Sequence, residues 1–151
     1  MKKIITLTLL VITSLVILSG CQKEENIELS MNEVVDKLYV GLEDNMPMVG
    51  STEITKDNMK SYIGIDNLDI KEGIASEALI GSIAHSVVVL RVNDKVDVEK
   101  AKNDIKENAN PRKWVCVEAE KVIVKSKGDV IILIMSNNEL APKIESNFDN
   151  L

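Results

Sequence analysis

Side chains with reactive chemistry are few in this chain: two cysteines, Cys21 and Cys116, and one histidine, His85. A zinc site of nitrogen and sulfur ligands needs three or four such groups, so no metal centre of that kind is expected. There is no D-x-[DN]-x-[DN]-G loop for calcium. The acids of DNLDIKE (66–72) read as a solvated face, with Asp69 turned away from its neighbours on a strand. A serine nucleophile needs a base beside it. His85 and Ser86 adjoin, but adjacent strand residues face opposite sides, and GSIAHS is not a G-x-S-x-G elbow. Neither a P-loop nor a G-x-G-x-x-G occurs, so no nucleotide cofactor is expected, and no local pattern singles out a catalytic carboxylate pair. Arg112 and Trp114, beside Lys113 and just after Pro111, allow two readings. They form an exposed contact point for a partner, since Arg and Trp are enriched at binding hot spots, or Trp114 anchors a helix-to-strand corner in the core. Cys116 also stays open, as a small core hydrophobe, a reactive thiol or an intermolecular bridge.

Cys21 has a more specific context. Lys2 and Lys3 precede the run IITLTLLVITSLVIL (4–18), 15 residues without charge, Gly or Pro. That is shorter than the roughly 20 needed to span a bilayer as a mature helix, and it matches the apolar core of a secretory signal. The run ends in Leu18-Ser19-Gly20-Cys21. This arrangement resembles the lipobox of bacterial lipoproteins, in which the cysteine thiol takes a diacylglyceryl group and the chain is cut just before it. The resemblance implies a signal peptide over 1–20 and Cys21 as the lipid attachment site on the outer face of the cell membrane. Residues 21–29 would then be a lipidated tether and 30–151 a single domain. Two acyl chains hold far more firmly than one. Eight extended tether residues reach no more than about 30 Å, which favours a membrane-proximal protein partner.

Removing residues 1–20 takes two lysines and no acid, leaving 16 basic and 24 acidic residues and a net charge of −8. Such a surface repels nucleic acid and anionic lipid headgroups. Four aromatic residues, Tyr39, Tyr62, Trp114 and Phe148, are too few to suggest a sugar-stacking surface. With Cys21 lipidated, Cys116 has no intramolecular partner and no disulfide framework exists.

The elements that must position these side chains follow from periodicity. Ser30 and Glu33 form an S-x-x-E capping box, and Met31, Val34, Val35, Leu38 and Leu42 continue at helical spacing. NMPMVGST (45–52) reads as a breaker, and Thr55 as the cap of a short helix through Lys56–Tyr62, ended by Gly64. A strand is expected over 68–78, irregular near Gly73. A second, SVVVLRV (86–92), is apolar on both faces and hence central. Asp97 caps a helix to about Asn108. KVIVKSKGDVIILIM is a hairpin turning at Gly128, and Asn138 caps a last helix over 139–149. In VCVEAE (115–120) strand alternation would place Cys116 with Glu118 and Glu120. The order ααββαββα predicts an α+β domain with a four-stranded antiparallel sheet. The last two helices are expected on one face and the Met31–Leu42 helix on the other; a face left bare would be a partner site.

The lipobox at 18–21, SYIGID (61–66), the Val-rich strand 86–92, the helix ending before Trp114 and KGDVIILIMS (127–136) together resemble a group of clostridial and related Firmicutes lipoproteins that carry a widespread domain of unknown function. The resemblance covers most of 31–150. Members often have an aromatic residue or proline between the first two strands, where this chain reads LIGSIAH. The resemblance supplies no catalytic residue and implies an accessory role, since some members lie beside genes for membrane-bound O-acyltransferases and related surface-modification proteins. The expected function is therefore a lipid-anchored extracytoplasmic accessory or binding protein of the cell envelope, with no catalysis of its own. The alternatives are an envelope enzyme built on carboxylates or Cys116, and a small-ligand-binding lipoprotein.

Overall fold

A computed structural model describes residues 26–151; Cys21 and the apolar segment before it lie outside them. Helix α1 (Met31–Leu38) starts as the capping box requires. The Glu33 amide donates to Ser30 Oγ at 3.4 Å, and the Ser30 amide donates to Glu33 Oε2 at 2.9 Å. The helix stops four residues short of Leu42, which stays buried beyond a turn. Helix α2 (Met59–Ile63) is also shorter than expected. The Thr55 amide donates to Asn58 Oδ1 at 2.8 Å, so the side chain of Asn58 closes residues 55–58 as a turn and delays the helix. At the end of α2, Gly64 has φ +82°, and a Cβ there would lie 2.0 Å from the Asn108 carbonyl oxygen. Only glycine lets α2 end against the last turn of α3 (Val98–Asn108). Asp97 caps α3 by accepting from the Lys100 amide at 3.0 Å. Before α4 (Leu140–Asp149), the amides of Glu139 and Leu140 donate to Asn137 Oδ1. The capping side chain is therefore Asn137, one residue ahead of the expected Asn138.

The domain is α+β, with one antiparallel sheet of five strands where four were expected. In spatial order they are β1 (Val49–Glu53), β2 (Ile70–Ala78), β3 (Ser86–Val92), β5 (Val130–Ser136) and β4 (Lys121–Lys127). The additional strand is β1, inside the segment read as a breaker. It is five residues long and pairs on one side only, with β2. An edge strand flanked by Pro47 and containing Gly50 buries too little to show apolar alternation. The irregularity in β2 falls between Ile70 and Glu72, not at Gly73. The β4–β5 hairpin turns at Gly128 (φ +59°), which packs against Asn26 so closely that a Cβ would meet its backbone at 3.0 Å. Residues 115–120 form no strand.

The central strands are apolar on both faces because both faces are covered. Val87, Val89, Val130, Ile132 and Ile134 pack with Ile27, α1 and α4. Val88, Leu90, Val92, Ile131, Leu133 and Met135 pack with α2 and α3. The expectation that the last two helices share a face is thus corrected: α3 crosses over one face between β3 and β4, while α4 returns over the other beside α1. Asn147 of α4 ties the pair by donating to the carbonyls of Leu38 and Val40 at 2.9 and 3.1 Å. Each sheet face carries two of the helices among the described residues, so no apolar sheet face is left bare as a partner site. No helix among them is long and apolar enough to cross a membrane.

Candidate functional site

Polar residues collect at one end of the sheet, where β2 ends, β3 begins and β5 ends. His85, just before β3, lies on the α1/α4 face with its Nδ1 2.9 Å from Ser136 Oγ and its Nε2 3.1 Å from the hydroxyl of Tyr39, the residue closing α1. One hydroxyl donates to the bare ring nitrogen, and the ring N–H donates to the other hydroxyl oxygen. His85 and Ser136 are 1% and 0% exposed. Burial lowers the imidazole pKa to about 4, against a smaller opposing pull from the Glu77 carboxylate. Burial also raises the Tyr39 hydroxyl to about 12. Ser76, next to Tyr39 on the same face, is fully buried, and its hydroxyl makes no bond of hydrogen-bonding geometry. A serine within hydrogen-bonding reach of an imidazole has the spacing of a nucleophile and its base. Here, however, both are sealed from solvent, and a phenol takes the place of an orienting carboxylate. In this conformation the triplet ties α1, β3 and β5 together.

The opposite face of the same end carries a second polar group. The Lys113 ammonium pairs with Glu77, donates to Ser86 Oγ at 3.2 Å, and lies 5.1 and 5.3 Å from the ring centroids of Tyr62 and Trp114. His85 and Ser86 thus point to opposite faces, as strand geometry requires. Trp114 is half-buried against the α2/α3 core. Arg112 is exposed and paired with Glu118. Both residues line a shallow cleft of about 400 Å³ with Cys116, Val117 and Glu118. Cys116 is exposed and holds φ +61°, the only non-glycine residue with positive φ among those described. It is therefore not a core hydrophobe.

Beside this end lies an exposed apolar corner. Met48 is 75%, Leu79 63% and Val115 71% exposed, with Ile80 and Ile83 also at the surface. Backbone bonds gather their segments: the Leu79 amide donates to the Met48 carbonyl at 2.9 Å, and the Val115 amide to the Gly81 carbonyl at 3.2 Å. The other end of the sheet is ionic. Arg91 bonds Asp129 (2.8 Å), Glu72 (2.9 Å) and the Leu29 carbonyl (2.7 Å), while Lys71 bridges Asp94 and Asp129. An open depression of about 810 Å³ adjoins it, lined in part by Asn26, Lys71, Asp94 and Asp129. No three His, Cys, Asp or Glu side chains are placed to hold a metal among the described residues.

Comparison with family models, with curated proteins and with solved structures finds no match. Of the residues singled out from sequence, Arg112, Trp114 and Cys116 share one cleft, and His85 lies apart from them inside the fold. The partners of His85 were not anticipated. A signal existed: Ser136 ends the apolar strand β5 just as His85 precedes the apolar strand β3, and polar residues at the ends of buried strands must find each other.

Proposed function

We propose that the chain is a lipid-anchored, extracytoplasmic accessory or binding protein of the bacterial cell envelope, without catalysis of its own. The observation that carries this reading is the Leu18-Ser19-Gly20-Cys21 arrangement at the end of an uncharged apolar run. Two features of the domain support it. The one histidine and its serine neighbours are sealed by burial, and the start of the described chain is pinned at one end of the sheet, where Arg91 grips the Leu29 carbonyl. Lipidation at Cys21 confines the domain to the membrane surface and raises its effective concentration towards partners held there. The accessory role implied by the resemblance to clostridial lipoproteins belongs to the same proposal.

In-cell crosslinking of the intact protein beside Cys21→Ala tests it. A membrane protein enriched only with Cys21 present is the expected result; equal recovery from both sinks the reading. An envelope enzyme is the second reading, favoured by one observation, the exposed Cys116 at φ +61°. Loss of Cys21-dependent envelope function on Cys116→Ser, with crosslinking unchanged, would turn the assignment to that enzyme.

A further inference from the structure

Among the described residues two strands, β1 and β4, pair on one side only, and the β1 edge of the sheet presents an ordered set of backbone groups. In an antiparallel pair, directly opposed residues alternate between bonded and non-bonded. The Ile54 amide donates to the Gly73 carbonyl, and the Leu79 amide to the Met48 carbonyl, both at 2.9 Å. With Gly50 opposite Glu77 and Thr52 opposite Ala75, the even-numbered residues of β1 bond inward to β2. Val49, Ser51 and Glu53 therefore turn their N–H and C=O groups outward, away from the sheet, where the Glu53 carbonyl accepts from Asn58 Nδ2 at 2.8 Å. The apolar corner of Met48 and Leu79 sits where the strand begins. It lies on the α2/α3 face, because Leu79 shares parity with Glu77 and covers Gly50.

Charge and position narrow the occupant. Segment 43–57 holds four acids, Glu43, Asp44, Glu53 and Asp57, and one base, Lys56. None of those acids joins an ion pair among the described residues. A second copy pairing β1 with β1 in the antiparallel sense of the sheet would oppose two acidic ribbons. It would also place the two Asn26 ends at opposite ends of the joined sheet. The membrane is a poor occupant too. Asn26 packs at the β4–β5 turn, while the corner lies at the far end of seven-residue strands, about 20 Å away.

We propose that the outer edge of β1, with the apolar corner at its entry, is a strand-addition site for an extended basic segment of another protein. The added strand would take the N–H and C=O groups of Val49 and Ser51 and the Glu53 amide, the Glu53 carbonyl being held by Asn58. Its apolar side chains would lie on the α2/α3 face near Met48 and Leu79. Its lysines or arginines would lie on the other face, where Ser51 and Glu53 project. For its orientation the inference rests on the lipid-anchored reading.

The test uses the full chain in zwitterionic micelles and a seven-residue peptide of alternating Lys and Val, with a Glu–Val peptide as control. Fluorescence anisotropy and amide chemical shifts are read together. The Lys–Val peptide is expected to bind, with the largest shifts at Val49, Ser51 and Glu53, and the Glu–Val peptide is expected not to. Ser51→Pro removes an outward N–H without touching the β1–β2 ladder and is expected to weaken binding about tenfold or more. Glu53→Lys, which leaves the backbone as it is, should weaken the Lys–Val peptide and admit the Glu–Val one. No binding at millimolar peptide, shifts centred away from β1, or affinity unchanged in both variants overturns the proposal. In cells, Cys21-dependent crosslinking that persists with Ser51→Pro overturns this site and leaves the accessory reading standing.

Discussion

His85 is an imidazole held neutral by its surroundings. Removed from water between two hydroxyls, it loses more hydration on protonation than the Glu77 charge returns, which is why its pKa falls to about 4. The consequence for stability has a definite sign. The unfolded chain takes up the proton near pH 6.5 and the folded one only near pH 4, so the contribution is full above pH 6.5 and is lost as pH falls towards 4. The shift corresponds to about 3 kcal/mol. Urea unfolding from pH 7 to 4 is expected to show a loss of that order beyond what His85→Gln shows over the same range. Equal slopes for the two proteins would mean that His85 is solvated in the native state. The Tyr39 hydroxyl, raised to about 12, stays protonated throughout this range.

At the scale of elements, side chains set most of the boundaries. Asn58 converts the expected first turn of α2 into a closed turn, Asn137 supplies the cap of α4, and Gly64 lets α2 end against α3. The last contact has the narrowest tolerance. Its φ of +82° disfavours any Cβ, and the space a Cβ needs is filled by the Asn108 carbonyl. Gly64→Ala is expected to cost at least about 2 kcal/mol in urea unfolding, through backbone strain and separation of α2 from α3. A cost under about 0.5 kcal/mol would show that the two helix ends are not held together.

For the whole molecule, the sheet divides the interior into two cores of similar make-up. Ile144 of α4 lies in one and Ile105 of α3 in the other, each fully buried. The strands between them are shared, so the domain is expected to unfold in a single transition, although the two cores do not touch. Ile105→Val and Ile144→Val should each cost about 0.5–1.5 kcal/mol, and their costs should add within about 0.5 kcal/mol in the double variant. A coupling larger than that would mean that strain passes through the sheet from one face to the other.

Much of this was legible along the chain. The Ser30–Glu33 box, the Asp97 cap, the Gly128 hairpin and the two-faced strands 86–92 and 130–136 all act over a few residues, and local chemistry determines them. The α+β class followed from their order. The Leu18-Ser19-Gly20-Cys21 arrangement, on which the proposed anchoring rests, is likewise a matter of sequence alone. Other features depended on tertiary structure because they join residues far apart in the chain. β1 is a strand only because β2 pairs with it, its own residues burying too little to signal one. The helices divide two and two over the faces because chain connectivity, not periodicity, chooses the side on which each crosses. His85 meets Ser136 and Tyr39 across separations of 51 and 46 residues, and no local pattern carries that distance. Cys116, whose spacing fitted a strand, is instead exposed at positive φ, because the segment carrying it pairs with no neighbouring strand.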